Sequence, residues 1–118
     1  MGFASDGQRV ASGRTPQLST NWQVYTGSGI FVDVDTTAAK FTGNPVYLTS
    51  IGGVSSHWST IGATSIYPIG PGIQPGTGLP TATGFRVYVQ WADRTTALTP
   101  AQAKGFGWHI NWIGYEQP

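Results

Sequence analysis

No cysteine occurs among the 118 residues, which excludes disulfides, thiolate nucleophiles and thiolate metal ligands. The fold needs no oxidising compartment, though it would persist in one. Charge is scarce too: 9% of residues are Asp, Glu, Lys or Arg, against roughly 25% in ordinary globular proteins. The six Lys/Arg and five Asp/Glu are scattered singly and leave a net charge of +1. Without a basic patch, neither nucleic acid nor an anionic membrane is an expected partner. No apolar run approaches the ~20 residues of a membrane-spanning helix, so membrane insertion is not expected. The start, Met1-Gly2-Phe3-Ala4-Ser5, lacks the basic and apolar stretches of a signal peptide and reads as the cut end of a longer chain.

Reactive patterns are missing as well. There is no G-x-S-x-G, no H-E-x-x-H and no phosphate loop. Asp33 and Asp35 share one strand face, as a carboxylate pair for hydrolysis or calcium would. They point the same way rather than facing each other across a substrate, and they read as a solvated face. No other cluster has metal-ligand spacing. The expectation is a protein that is not an enzyme, with no cofactor and no metal.

What the chain does have is turn residues and aromatics. Seventeen glycines and eight prolines without a repeat imply short strands joined by tight turns. The clearest strands lie in the last third. In Gly84 to Asp93, Phe85, Val87, Val89 and Trp91 recur at period two. In Gly107 to Glu116, Trp108, Ile110, Trp112 and Gly114 do the same. The opposite faces carry Arg86, Tyr88, Gln90, His109, Asn111 and Tyr115. This polar-aromatic surface suits recognition better than bond-breaking. Earlier strands are expected at Gln8 to Thr15, Ile30 to Asp35, Val46 to Ile51 after Pro45, and Ala63 to Ile69, with a turn at Ser19 to Trp22. Gly70 to Pro80 reads as a long surface loop.

One helical turn is expected before the last strand. Thr99-Pro100-Ala101-Gln102 is a capping box with proline at the first helical position, and Gly105 should end it. Six short strands without crossover helices imply a single all-β domain over residues 1–118, a six-stranded antiparallel β-sandwich.

The order of these pieces resembles the H-type lectin domain of snail agglutinins and a slime-mould discoidin. The resemblance rests on Arg9-Val10-Ala11-Ser12-Gly13, Trp22, the run from Phe41 to Ile51, Thr83-Gly84-Phe85 with its aromatic tip Trp91, and Ile110 to Glu116. It implies a lectin that assembles as trimers or hexamers, with shallow galactose or N-acetylgalactosamine sites near protomer interfaces. It would place the protein outside the cell, or on a cell or virion surface. The family's site maps to Trp91, Ala92 and Asp93, and to Ser19-Thr20-Asn21 in the first loop, where the family has an acid and this chain has none. The strand-four arginine of the family is also missing here. The sequence is similar as well to tip domains of phage or collagen-like fibres. That alternative is a trimerising cap without sugar affinity.

The expected carbohydrate-binding residues are Trp91, Asp93, Arg94, Asn21, His57 and Trp58. Trp91 can instead continue the buried face of its strand, which leaves Asp93 and Arg94 as the better candidates. Trp58 can instead cover the open end of the sandwich. Trp108, Ile110 and Trp112 read as core. His109, Asn111 and Tyr115 read as a face that packs on neighbours in an oligomer.

Overall fold

The computed structural model describes residues 8–69 and 82–117. The loop expected from Gly70 to Pro80 and the start of the chain lie outside the described residues. Two antiparallel sheets pack face to face. One holds β1 (Arg9–Arg14), β8 (His109–Glu116) and β4 (Val46–Gly52), in the order β1-β8-β4. The other runs β2 (Gln23–Val24), β3 (Ile30–Asp35), β7 (Gly84–Trp91), with β5 (Thr60–Ile61) and β6 (Ile66–Tyr67) both paired to β7. The all-β antiparallel sandwich expected from periodicity is the observed fold.

Alternation decides which residues meet between the sheets. Ile30, Val32 and Val34 of β3 and Phe85, Val87 and Val89 of β7 are buried in one core with Tyr47 and Ile110 of the other sheet and with Trp108, which leads into β8. Each such side chain contributes about 1.5–3 kcal/mol by leaving water. Polar atoms in this layer are paired. Trp22 Nε1 donates to the Trp108 carbonyl at 3.2 Å, and Trp108 Nε1 to the Ser55 carbonyl at 2.7 Å. The hydroxyls of Thr36 and Tyr47 share a hydrogen bond of 2.7 Å.

The helix α1 (Pro100–Gly105) has the expected capping box. Gln102 N donates to Thr99 Oγ1 at 3.1 Å, and Thr99 N to Gln102 Oε1 at 3.0 Å. It ends at Gly105, as expected. Gly107 takes the left-handed conformation at φ 68°. Gly107 N donates to the Lys104 carbonyl and Trp108 N to the Ala103 carbonyl, a Schellman closure. This closure brings the cap residue Phe106 into a stack on Trp108, with ring centres 5.4 Å apart.

The strand expected over Ala63 to Ile69 is broken. Ile61 pairs with Gln90 and Ile66 with Val87, so the four residues between them oppose only Tyr88 and Val89. This bulge turns at Gly62, whose φ of 104° a residue with Cβ rarely adopts. The turn expected at Ser19 to Trp22 sits earlier: Ser19 N donates to the Pro16 carbonyl, and Trp22 is already buried core.

Candidate functional site: a tyrosine-lined cleft

The bulge shapes the solvent face of the five-stranded sheet. Between the β2–β3 turn and the bulge lies a cleft of about 240 Å³, floored by Tyr88 and Gln90 of β7. Tyr25, Thr26 and Ser28 form one wall, and Gly62, Ser65 and Tyr67 the other. The ring centres of Tyr25 and Tyr67 lie 4.7 and 5.0 Å from that of Tyr88. Tyr25 N donates to the Gly29 carbonyl at 3.0 Å and closes the turn. Among the described residues, no Asp, Glu, Lys, Arg or His lines the cleft. It offers aromatic faces and uncharged hydroxyl and amide groups, which can stack on a ligand and exchange hydrogen bonds with it.

Behind the tyrosines, Arg86 lies with its guanidinium 4.1 Å from the Phe31 ring centre. It donates to both carboxylate oxygens of Asp33, at 2.6 and 3.0 Å, and to the Tyr88 hydroxyl at 3.5 Å. The hydrogen bond to Asp33 raises the pKa of Arg86 above its ordinary value. Asp35 turns to Thr37 instead, and hydrogen bonds from the Thr37 hydroxyl and amide lower its pKa. The two carboxylates thus have separate structural partners.

The loop after β7 forms a rim. Asp93 is fully solvated, yet its carboxylate is turned back on its own loop. Oδ1 accepts from the amides of Thr95 and Thr96 at 2.9 Å each, and Oδ2 accepts from the Thr96 hydroxyl at 2.6 Å. These bonds, the Thr96 hydroxyl foremost, lower its pKa to about 2. Arg94 follows in the left-handed conformation, φ 66°, with an exposed side chain. Its carbonyl accepts from the Ser28 hydroxyl at 3.3 Å, and the same hydroxyl lies 3.3 Å from Gln90 Oε1 in the cleft.

Trp91 packs edge-on against Trp108 and Phe106, with ring centres 5.5 and 6.3 Å away, so its ring joins the interior. His57 and Trp58 lie on a 3-10 turn, His57–Ser59, beside this rim: Ala92 N donates to the Ser59 carbonyl at 2.8 Å. Trp58 is 87% exposed and covers nothing. His57 Nδ1 is buried without a hydrogen-bond partner. Asn21 stands elsewhere. Its side-chain oxygen accepts from Gln23 Nε2 at 2.8 Å, and it lines a groove with Arg14, Asp33, Asp35 and Trp112. Of the six residues expected at a site, the structure brings together the 57–58 turn and the 91–94 rim within one protomer, and leaves Asn21 apart.

Tyr25, Ser28, Ser65 and Tyr67 escaped the sequence reading. Tyr88 and Gln90 were legible as an outward polar-aromatic face. The one further signal was Tyr25-Thr26-Gly27-Ser28-Gly29, a turn sequence with an aromatic start. Among the described residues, no three of His, Cys, Asp and Glu lie together as metal ligands. Compared with family models, with curated proteins and with solved structures, the chain has no match.

Proposed function

We propose that this protein is a carbohydrate-binding module that recognises neutral galactose- or N-acetylgalactosamine-type sugars without catalysis, as a homo-oligomer. The observation that carries the reading is the cleft of Tyr25, Tyr67 and Tyr88 with its uncharged polar lining. A pyranose has an apolar C–H face and a hydroxylated edge, and needs an aromatic plate beside a few aimed polar groups. The cleft is smaller than drug-sized sites and suits one ring. A single such site binds weakly, and grouping several on one assembly raises avidity without new contacts.

The oligomer is supported by the outer face of the three-stranded sheet. Val10, Tyr115 and Val46 lie in one cross-strand row, and Ser12, Ile113 and Leu48 in the next. Val10, Val46, Leu48 and Ile113 are all exposed. A row of exposed aliphatic side chains on a flat sheet is the kind of surface that partners cover. Of the residues expected on that interface, His109 is already buried within the protomer.

The test is a glycan array and a galactose resin, run with the parent and with Tyr67→Ala. The parent should be retained and Tyr67→Ala should lose at least tenfold in affinity. A parent silent on both supports the alternative reading, an oligomerising fibre tip without sugar affinity, which the same apolar sheet face favours.

A further inference from the structure

We propose that Asp93 is a positioning residue for the cleft, and that Ser28 and Gln90 are the pair that selects a ligand hydroxyl. This rests on reading the cleft as the sugar site. Ser28 has one hydroxyl proton and two acceptors at 3.3 Å, Gln90 Oε1 inside the cleft and the Arg94 carbonyl on the rim. It donates to one at a time. When the proton points to Arg94, Gln90 Oε1 is left free to accept, and the Ser28 oxygen also presents a lone pair to the cleft. A ligand hydroxyl that donates there completes the network.

The position of the Arg94 carbonyl is set by Asp93. Its carboxylate gathers the Thr95 and Thr96 amides and the Thr96 hydroxyl, which holds the loop in a tight turn with Arg94 left-handed. The same loop ties down the wall of the cleft a second time, because Leu98 N donates to the Ser28 carbonyl at 3.0 Å. Asp93 thus acts on the ligand through Arg94 and Ser28 and does not touch it. Gln90 is half-buried, so its carboxamide has few rotamers to choose from once Ser28 is placed.

The test uses methyl galactoside and its monodeoxy derivatives, titrated into the full chain by calorimetry. The parent should lose roughly fivefold for one deoxy derivative, the worth of one neutral hydrogen bond. Ser28→Ala and Asp93→Ala should bind the galactoside about fivefold more weakly and no longer distinguish that derivative. Asp93→Asn keeps the acceptor for the Thr95 and Thr96 amides and should restore the parent's discrimination. Glu116→Ala, in the other sheet, removes bonds to Thr42 and Gly43 and should lower the melting temperature with the sugar profile unchanged. The proposal is overturned if Ser28→Ala or Asp93→Ala keeps the parent's deoxy profile, or if Glu116→Ala erases it as they do. A parent that binds neither methyl galactoside nor methyl N-acetylgalactosaminide overturns the sugar-binding reading itself and this proposal with it.

Discussion

Arg86 and Asp33 face each other directly across the β3–β7 pair, and their side chains meet in a two-pronged ion pair on the outer surface of the sheet. The guanidinium is also sandwiched against Phe31, so it is held from below by an aromatic face and from the side by a carboxylate. This arrangement pairs the two charges of Arg86 and Asp33 with each other on the outer face of the sheet that carries the cleft. With 38% of its side chain exposed, Asp33 is screened by water, which limits the pair's worth. Asp33→Ala should destabilise the domain by about 0.5–1 kcal/mol in urea unfolding. A double-mutant cycle with Arg86→Ala should return a coupling of that size. A coupling near zero would mean that Arg86 is held by Phe31 and Tyr88 without help from Asp33.

Gly62 carries the bulge that opens the cleft. A Cβ there would collide with the Tyr88 carbonyl, and its φ of 104° is strained for any other residue. Gly62→Ala should therefore cost about 1–3 kcal/mol, several degrees in melting temperature. If the variant melts with the parent, the bulge is not built as described.

Acid should weaken the fold through depressed carboxylates. Asp93, with its pKa lowered to about 2, gains hydrogen bonds in the folded state that only the ionised form accepts fully. Asp35 and Glu116 are lowered for the same reason, by Thr37 and by the Thr42 and Gly43 amides. A lowered folded pKa gives stability that is present above the unfolded value of about 4 and is lost as pH falls toward the folded one. Melting temperature should be flat from neutral pH to about 5 and fall between about 4 and 2. Asp93→Asn should flatten part of that fall. An unchanged slope in Asp93→Asn would show that its loop bonds contribute nothing to the folded state.

The apolar rows on the three-stranded sheet predict that a charge there dissociates the assembly. Leu48→Lys should leave circular dichroism unchanged, since Leu48 is 67% exposed in the protomer, while light scattering drops to the protomer mass of 12.5 kDa. If the parent itself already scatters at that mass, the oligomer is refuted.

The long strands, their buried faces and the capping box were readable from residue order, because each depends on neighbours two to four positions apart, whereas the two-residue strands β2 and β5 were not. Alternation in Phe85, Val87 and Val89 names the buried side of β7 whatever lies against it. Thr99 and Gln102 close their hydrogen bonds locally, with Pro100 fitted between them at the first helical position. Gly105 does end the helix, while the left-handed glycine that closes it is Gly107, one residue past the cap Phe106 that stacks on Trp108.

The cleft had no such local signature. Tyr25, Tyr67 and Tyr88 come from three separate segments, and only pairing β6 and β3 to either side of β7 brings the rings within 5.0 Å. Sequence alone made Asp93 look like a ligand-binding acid, since it sees a charge in a loop and not where its lone pairs go. Those lone pairs go to Thr95 and Thr96, two and three residues on, a local turn that the sequence reading passed over, whereas only the tertiary structure turned Trp91 inward onto Trp108. Side-chain direction at a strand end is set by what the next layer needs to fill, and that layer is distant in sequence.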